Sequence, residues 1–101
     1  MGLDFTIAQR TDFRTDEKGR NCHTVTTLGT LYKCSELVDM LNWRLDYGLS
    51  PCADYEFYGS TLWEVANKIE NTEEKEYVLE EFNKMGILNS DEEIYIINAS
   101  W

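Results

Sequence analysis

The chain has 101 residues, a formal net charge of −10, 43% hydrophobic and 13% aromatic side chains, six Gly and one Pro, which suits one modest core in a single domain, 1–101. So acidic a chain would be repelled by bare nucleic acid and by anionic membrane, and both are excluded as direct partners. Three cysteines, an odd number, and no apolar leader argue against a secreted disulfide framework and for a reducing cytoplasm, and no apolar run approaches the roughly 20 residues that cross a bilayer.

Leu3, Phe5 and Ile7 alternate with Asp4, Thr6 and Ala8, the period of a half-buried strand, which predicts a strand over 3–9. Residues 11–19 are polar and turn-rich and are expected to form a long mobile loop. Around it Arg10, Arg14, Lys18 and Arg20 mix with Asp12, Asp16 and Glu17, which a solvated loop explains. The β-branched stretch 21–28 predicts a second strand, which Gly29 and Thr30 are expected to end.

Cys34, Leu37, Val38, Leu41 and Leu45 share one side of a helix expected over 34–47, with Gly48 as its left-handed stop. Met40, Trp43 and Tyr47 form a second stripe beside Glu36, which either this chain or a partner must cover. Asp54 to Tyr58 alternates acidic and aromatic residues and reads as a loop or a short edge strand.

Thr61 with Glu64 has the pattern of a capping box and predicts a helix over 62–70. Asn71 with Glu74 repeats it and predicts a helix over 73–85, with Val78, Phe82 and Met85 on its core side and Gly86 as its stop. The apolar run at 93–99 predicts a last strand, placed inside the sheet and not at its edge. The expected class is α+β, a small antiparallel sheet with about three helices on one face.

Cys22, His23, Cys34 and Cys52 offer soft metal ligands, but no C-x₂-C pair fixes two thiolates together, and neighbours on a strand point to opposite faces. Cys34 near a helix N-terminus with His23 as base would make a nucleophile pair, yet nothing around them resembles a nucleophile motif. With no phosphate-binding or dinucleotide pattern either, the expectation is no enzyme, no metal and no cofactor. The myristoylation-like opening Met1 to Thr6 and the sequon at Asn98 to Ser100 read as coincidences.

Charge distribution is more informative. Residues 1–33 carry +1, residues 34–69 carry −4 and residues 70–101 carry −7. On the third helix Glu73, Glu76 and Glu80 lie opposite the apolar face, and Asp91, Glu92 and Glu93 follow. Their spacing, roughly 4.5 to 6 Å along the axis, is comparable with charge spacing on a nucleic acid. If exposed, Trp43 would supply an aromatic anchor beside such carboxylates.

Met1-Gly-Leu-Asp4 resembles the opening of small phage and prophage proteins that begin with these residues and continue as a strand. In size, acidity and lack of a catalytic motif the chain is similar to anti-CRISPR and other anti-defence proteins. That resemblance implies an inhibitor that binds a host nuclease and blocks its nucleic-acid path. The leading expectation is therefore a non-enzymatic acidic protein whose partner is a basic host protein, with Glu73, Glu76, Glu80, Asp91, Glu92 and Glu93 attracting it and Met40, Trp43 and Tyr47 anchoring it. Alternative readings are a toxin-immunity protein, a small nucleotide-binding or Cys/His enzyme, and a homodimer or larger homo-oligomer that buries the Trp43 stripe.

Overall fold

The alternation of Phe5 and Ile7 with Thr6 and Ala8 does produce a strand, with Phe5 and Ile7 fully buried on its inner face. A computed structural model describes residues 4–45, 48–50 and 53–100. The elements are β1 (Asp4–Thr15), β2 (Asn21–Tyr32), α1 (Ser35–Asn42), β3 (Asp54–Tyr58), α2 (Gly59–Asn67), α3 (Thr72–Met85) and β4 (Ile94–Ser100). The four strands form one antiparallel sheet in the order β2-β1-β4-β3, so β4 lies inside it as its apolar run requires. The class is α+β.

Phe5, Ile7, Leu31, Phe57, Tyr95 and Ile97 on the inner face of the sheet meet Leu37, Leu41, Leu62, Val65, Val78 and Phe82 from the helices in one core. Trp63 of α2 packs edge-on against Phe82 at 5.4 Å and donates its indole N–H to the Ile87 carbonyl at 2.8 Å, joining α2 to the segment that follows α3. On the other face of the sheet Ile96 is only 8% exposed. There Arg10 of β1 is ion-paired with Glu56 of β3, spanning β4 beside it. Among the described residues no helix is long and apolar enough to cross a membrane.

Several boundaries differ from expectation, each for a local reason. Residues 11–15 are strand, not loop. Thr11 pairs with Thr24, its hydroxyl lies 2.9 Å from that of Thr26, and Asp12 takes a positive φ of 53° where the register shifts between Thr11 and Arg14. The turn is confined to Asp16–Arg20, where the Asp16 carboxylate accepts the backbone N–H groups of Lys18 and Arg20 at 2.9 and 2.8 Å and the Arg20 guanidinium at 2.7 Å. The Arg20 amide foremost, with the Arg20 side chain and the Lys18 amide, holds this carboxyl below its ordinary pKa.

Gly29 does not end β2, which runs on to Tyr32; it leaves room for α3, since a Cβ there would stand 2.7 Å from Met85 Cε. The first helix is shorter than 34–47 because beyond Leu41 the backbone bonds tighten to i→i+3, Arg44 N–H to Leu41 O at 3.0 Å and Leu45 N–H to Asn42 O at 3.3 Å. Asn42 then accepts the Leu49 N–H on its side chain at 2.6 Å, with Gly48 at φ 73°. Asp46, Tyr47, Pro51 and Cys52 lie outside the described residues, as do Met1 to Leu3 at the start of the first expected strand.

The second helix begins at Gly59, three residues before the expected start, and ends at Asn67 instead of residue 70. Its first amides need no capping box: Gly59 N–H reaches Glu93 O at 2.8 Å and Ser60 N–H reaches Ser90 O at 3.1 Å. Thr61 is thus inside the helix, and Glu64 turns to Arg44 and Lys68, both at 3.1 Å. The third helix begins at Thr72, one residue before the expected start, with half of the expected box: the Asn71 side chain accepts the Glu74 N–H at 3.0 Å, Glu36 and not Glu74 takes the Asn71 N–H, and Gly86 closes the helix at φ 72°.

Candidate interaction surfaces

Trp43 is the residue at which α1 stops, and its side chain is 87% exposed. An indole this open is unusual, because burying it would stabilise the fold more than burying almost any other side chain. Met40, one turn earlier, is half-buried and packs on the core, so the expected stripe is divided between core and surface. Tyr47, its third member, lies outside the described residues. Beside Trp43, Arg44 forms with Glu64 and Lys68 an ion-paired cluster that links the end of α1 to α2. Its Glu64 carboxyl is held below the ordinary range, first by the Lys68 side chain and then by Arg44.

The acidic residues form two groups, not one. Glu73, Glu76 and Glu80 are exposed along the outer side of α3, opposite buried Val78 and Phe82. Lys84 partly neutralises that row, pairing with Glu80 at 3.3 Å and Glu81 at 3.6 Å, and these glutamates raise its own pKa. Asp91, Glu92 and Glu93 instead lie at the far end, where the loop after α3 meets the start of α2. Asp91 accepts the Ser60 hydroxyl, and Glu93 accepts the Gln9 side-chain amide at 2.8 Å. Nearly the whole length of α3, about 18 Å of helix, separates Glu73 from this second group.

Glu74, which was not read as functional, has a structural task. Its carboxylate accepts the Glu36 and Leu37 N–H groups at 3.4 and 2.9 Å, capping α1, which has no cap of its own at Cys34. Glu36 returns the contact by accepting the Glu70 N–H and, at 3.1 Å, the Asn71 N–H ahead of α3. The two helix N-termini are thus tied by carboxylates exchanged between them.

A third surface was missed. Beyond the last β1–β4 pair at Ala8 and Ile96, residues 9–15 and 21–27 continue as a two-stranded arm, and the molecule measures 50 × 25 × 24 Å. Phe13 stands 73% exposed on it, 6.0 Å from the His23 ring. At the base of the arm a cleft of about 230 Å³ is lined by Gln9, Arg10, Phe13, Glu93, Ile94 and Ile96. Residues 9–27 carry four basic and three acidic side chains, so the remaining chain holds a net −11. With 11–19 expected as a loop and only 21–28 as strand, this segment gave no reason to expect a surface.

Cys34 and His23 do not meet. His23 lies on the arm and Cys34 just past the other end of β2, about 30 Å away at strand rise. The Cys34 thiol is fully buried, and burial first, with Glu74 and Glu81 nearby, pushes its pKa up to about 12. Such a thiol should resist iodoacetamide in the folded protein while Cys22 reacts, as peptide mass spectrometry can show; native labelling of Cys34 would contradict its burial. Among the described residues no three His, Cys, Asp or Glu side chains gather where an ion could be held, and Cys52 lies outside them. No protein-family model matches this chain, and no curated protein or solved structure matches it either.

Proposed function

We propose that the protein is a non-enzymatic acidic inhibitor that docks on a basic nucleic-acid-binding protein of a host and occupies its nucleic-acid path, as a phage-encoded counter-defence factor of the anti-CRISPR kind would. The observation that carries this reading is Trp43, an open indole on a body that holds a net −11 outside the arm. Long-range attraction comes from the carboxylates, foremost Glu73, Glu76 and Glu80, which raise the encounter rate with a cationic groove. Specificity comes from the indole, since aromatic anchors dominate the energy of such interfaces. Asp91, Glu92 and Glu93 extend the acidic field at the other end of α3.

The test is capture of the partner from the host, followed by titration of the purified pair. Trp43→Ala should weaken binding by about tenfold or more while leaving the melting temperature unchanged, because the side chain contributes to an interface and not to the core. Charge reversal at Glu73, Glu76 and Glu80 should slow association and flatten its dependence on salt. Unchanged affinity in Trp43→Ala, together with affinity indifferent to ionic strength, would overturn the reading.

A further inference from the structure

We propose that β2 pairs edge to edge, antiparallel, with β2 of a second copy of this chain. β2 is the outermost strand at its side of the sheet, and along its 12 residues there is no Asp, Glu, Lys, Arg or Pro. In a chain that is 28% charged such a run stands out. An open strand edge is normally guarded by charge or proline, and the opposite edge is guarded so: β3 carries Asp54 and Glu56, which self-pairing would oppose to carboxylates.

Two further observations choose a second copy as the occupant. The arm is a two-stranded ribbon with Phe13 and Val25 exposed, Val25 to 53%, and a ribbon of two strands is marginal until a third joins it. Pairing two copies about a two-fold axis near Val25 gives each arm its third strand from the other. The segment Cys22–Thr27 is suited to this, because the β2 bulge falls beyond it, at Leu28 between the Ala8–Thr27 and Ile7–Gly29 pairs.

Charge points the same way. With that axis, Arg20 of one copy lies opposite Thr30 of the other, and the turn carrying Lys18 reaches the end of the facing β2. There Tyr77 of α3 accepts the Tyr32 N–H at 3.1 Å, so the end of the facing β2 lies beside α3, whose first turns carry Glu73, Glu74 and Glu76. The arm of each copy, at a net +1, therefore meets the acidic body of the other and adds no like-charge repulsion there. An axis normal to the sheet keeps the helices of both copies on one side and joins the sheets into eight continuous strands.

Light scattering on the purified full chain should give twice the 11.8 kDa monomer mass at micromolar concentration. Thr24→Lys with Thr26→Lys, both exposed positions, places lysines opposite each other across the axis and should return the monomer with the same circular dichroism. In a Cys22→Ser background, Val25→Cys should form a disulfide-linked dimer under mild oxidation. Thr30→Cys, about 33 Å from its counterpart in that register, should not link. Because the cysteine scan leaves the strand uncharged, it tests the contact even if the lysine variant misfolds. A wild-type monomer, a dimer that survives both lysines, or equal linking at positions 25 and 30 would each overturn the proposal.

Discussion

Gly59→Ala is expected to cost about 3 kcal/mol of folding stability, a large share of what a domain of this size holds. A methyl group at Gly59 would fall inside the contact radius of the Leu88 carbonyl oxygen and 3.0 Å from Tyr95 Cε2. Neither neighbour can yield easily. The Leu88 backbone is held where its N–H donates to the Tyr95 hydroxyl at 2.9 Å, and Tyr95 is buried in the core. The first turn of α2 is itself fastened to Glu93 and Ser90, so a shift at Gly59 disturbs helix, loop and strand together. Gly86→Ala is the control: it meets no atom within 4 Å and suffers only a positive φ of 72°, worth about 1–2 kcal/mol. Urea titration of both should show the larger shift of midpoint at Gly59, and a smaller one there would mean the 88–93 loop does not seat against α2.

Removing both carboxylates of the exchange between α1 and α3, Glu36→Ala with Glu74→Ala, is the second large effect, about 3 kcal/mol. Each carboxylate serves two backbone amides that no other described group serves in this arrangement, and each sits where a helix N-terminus favours negative charge. The contacts are partly exposed, so water recovers some of the loss, and the figure is set below the sum of four charged hydrogen bonds for that reason. The single replacements should not add. Losing Glu74 frees the start of α1 and so displaces Glu36 from Glu70 and Asn71, giving a coupling of about 0.5 kcal/mol or more in a double-mutant cycle. Strict additivity would show that the two caps act separately.

Features set by near neighbours were legible in the sequence. Asn71 with Glu74, the 78–82–85 periodicity and Gly86 define α3 from its own residues and the two that flank it, and the structure follows them to within one residue. Features set by distant chain were not. The Thr61 and Glu64 pattern was sound as a local device, but Glu93 and Ser90, some thirty residues on, take the Gly59 and Ser60 amides and start the helix earlier, so Thr61 is no longer at its end. Gly29 read as a breaker because nothing nearby reveals that Met85 will press on it. The polar stretch at 11–15 became strand because threonine pairs and a bulge at Asp12 make a ribbon that no apolar alternation announces.

The candidate surfaces divide in the same way. That glutamates occupy one side of α3 follows from counting residues around a helix, whereas their separation from Asp91 to Glu93 depends on where the chain turns after Gly86. That Glu74 would leave this row to cap α1 could not be read from either helix alone. Trp43 was singled out by its spacing, but that no other described element covers it is set by how the distant parts of the chain pack.

The sheet order also bears on how the molecule is made. β1 and β4 are adjacent, with Asp4 opposite Ser100 and Ile7 opposite Ile97, so the central seam joins the first strand to the last. During synthesis the hairpin of β1 and β2 gains its inner neighbour only once β4 has been made, and only then can β3 find its place beyond it. The decisive pairing is therefore long-range, and a nascent chain stalled before Ile94 would be a natural client for chaperones.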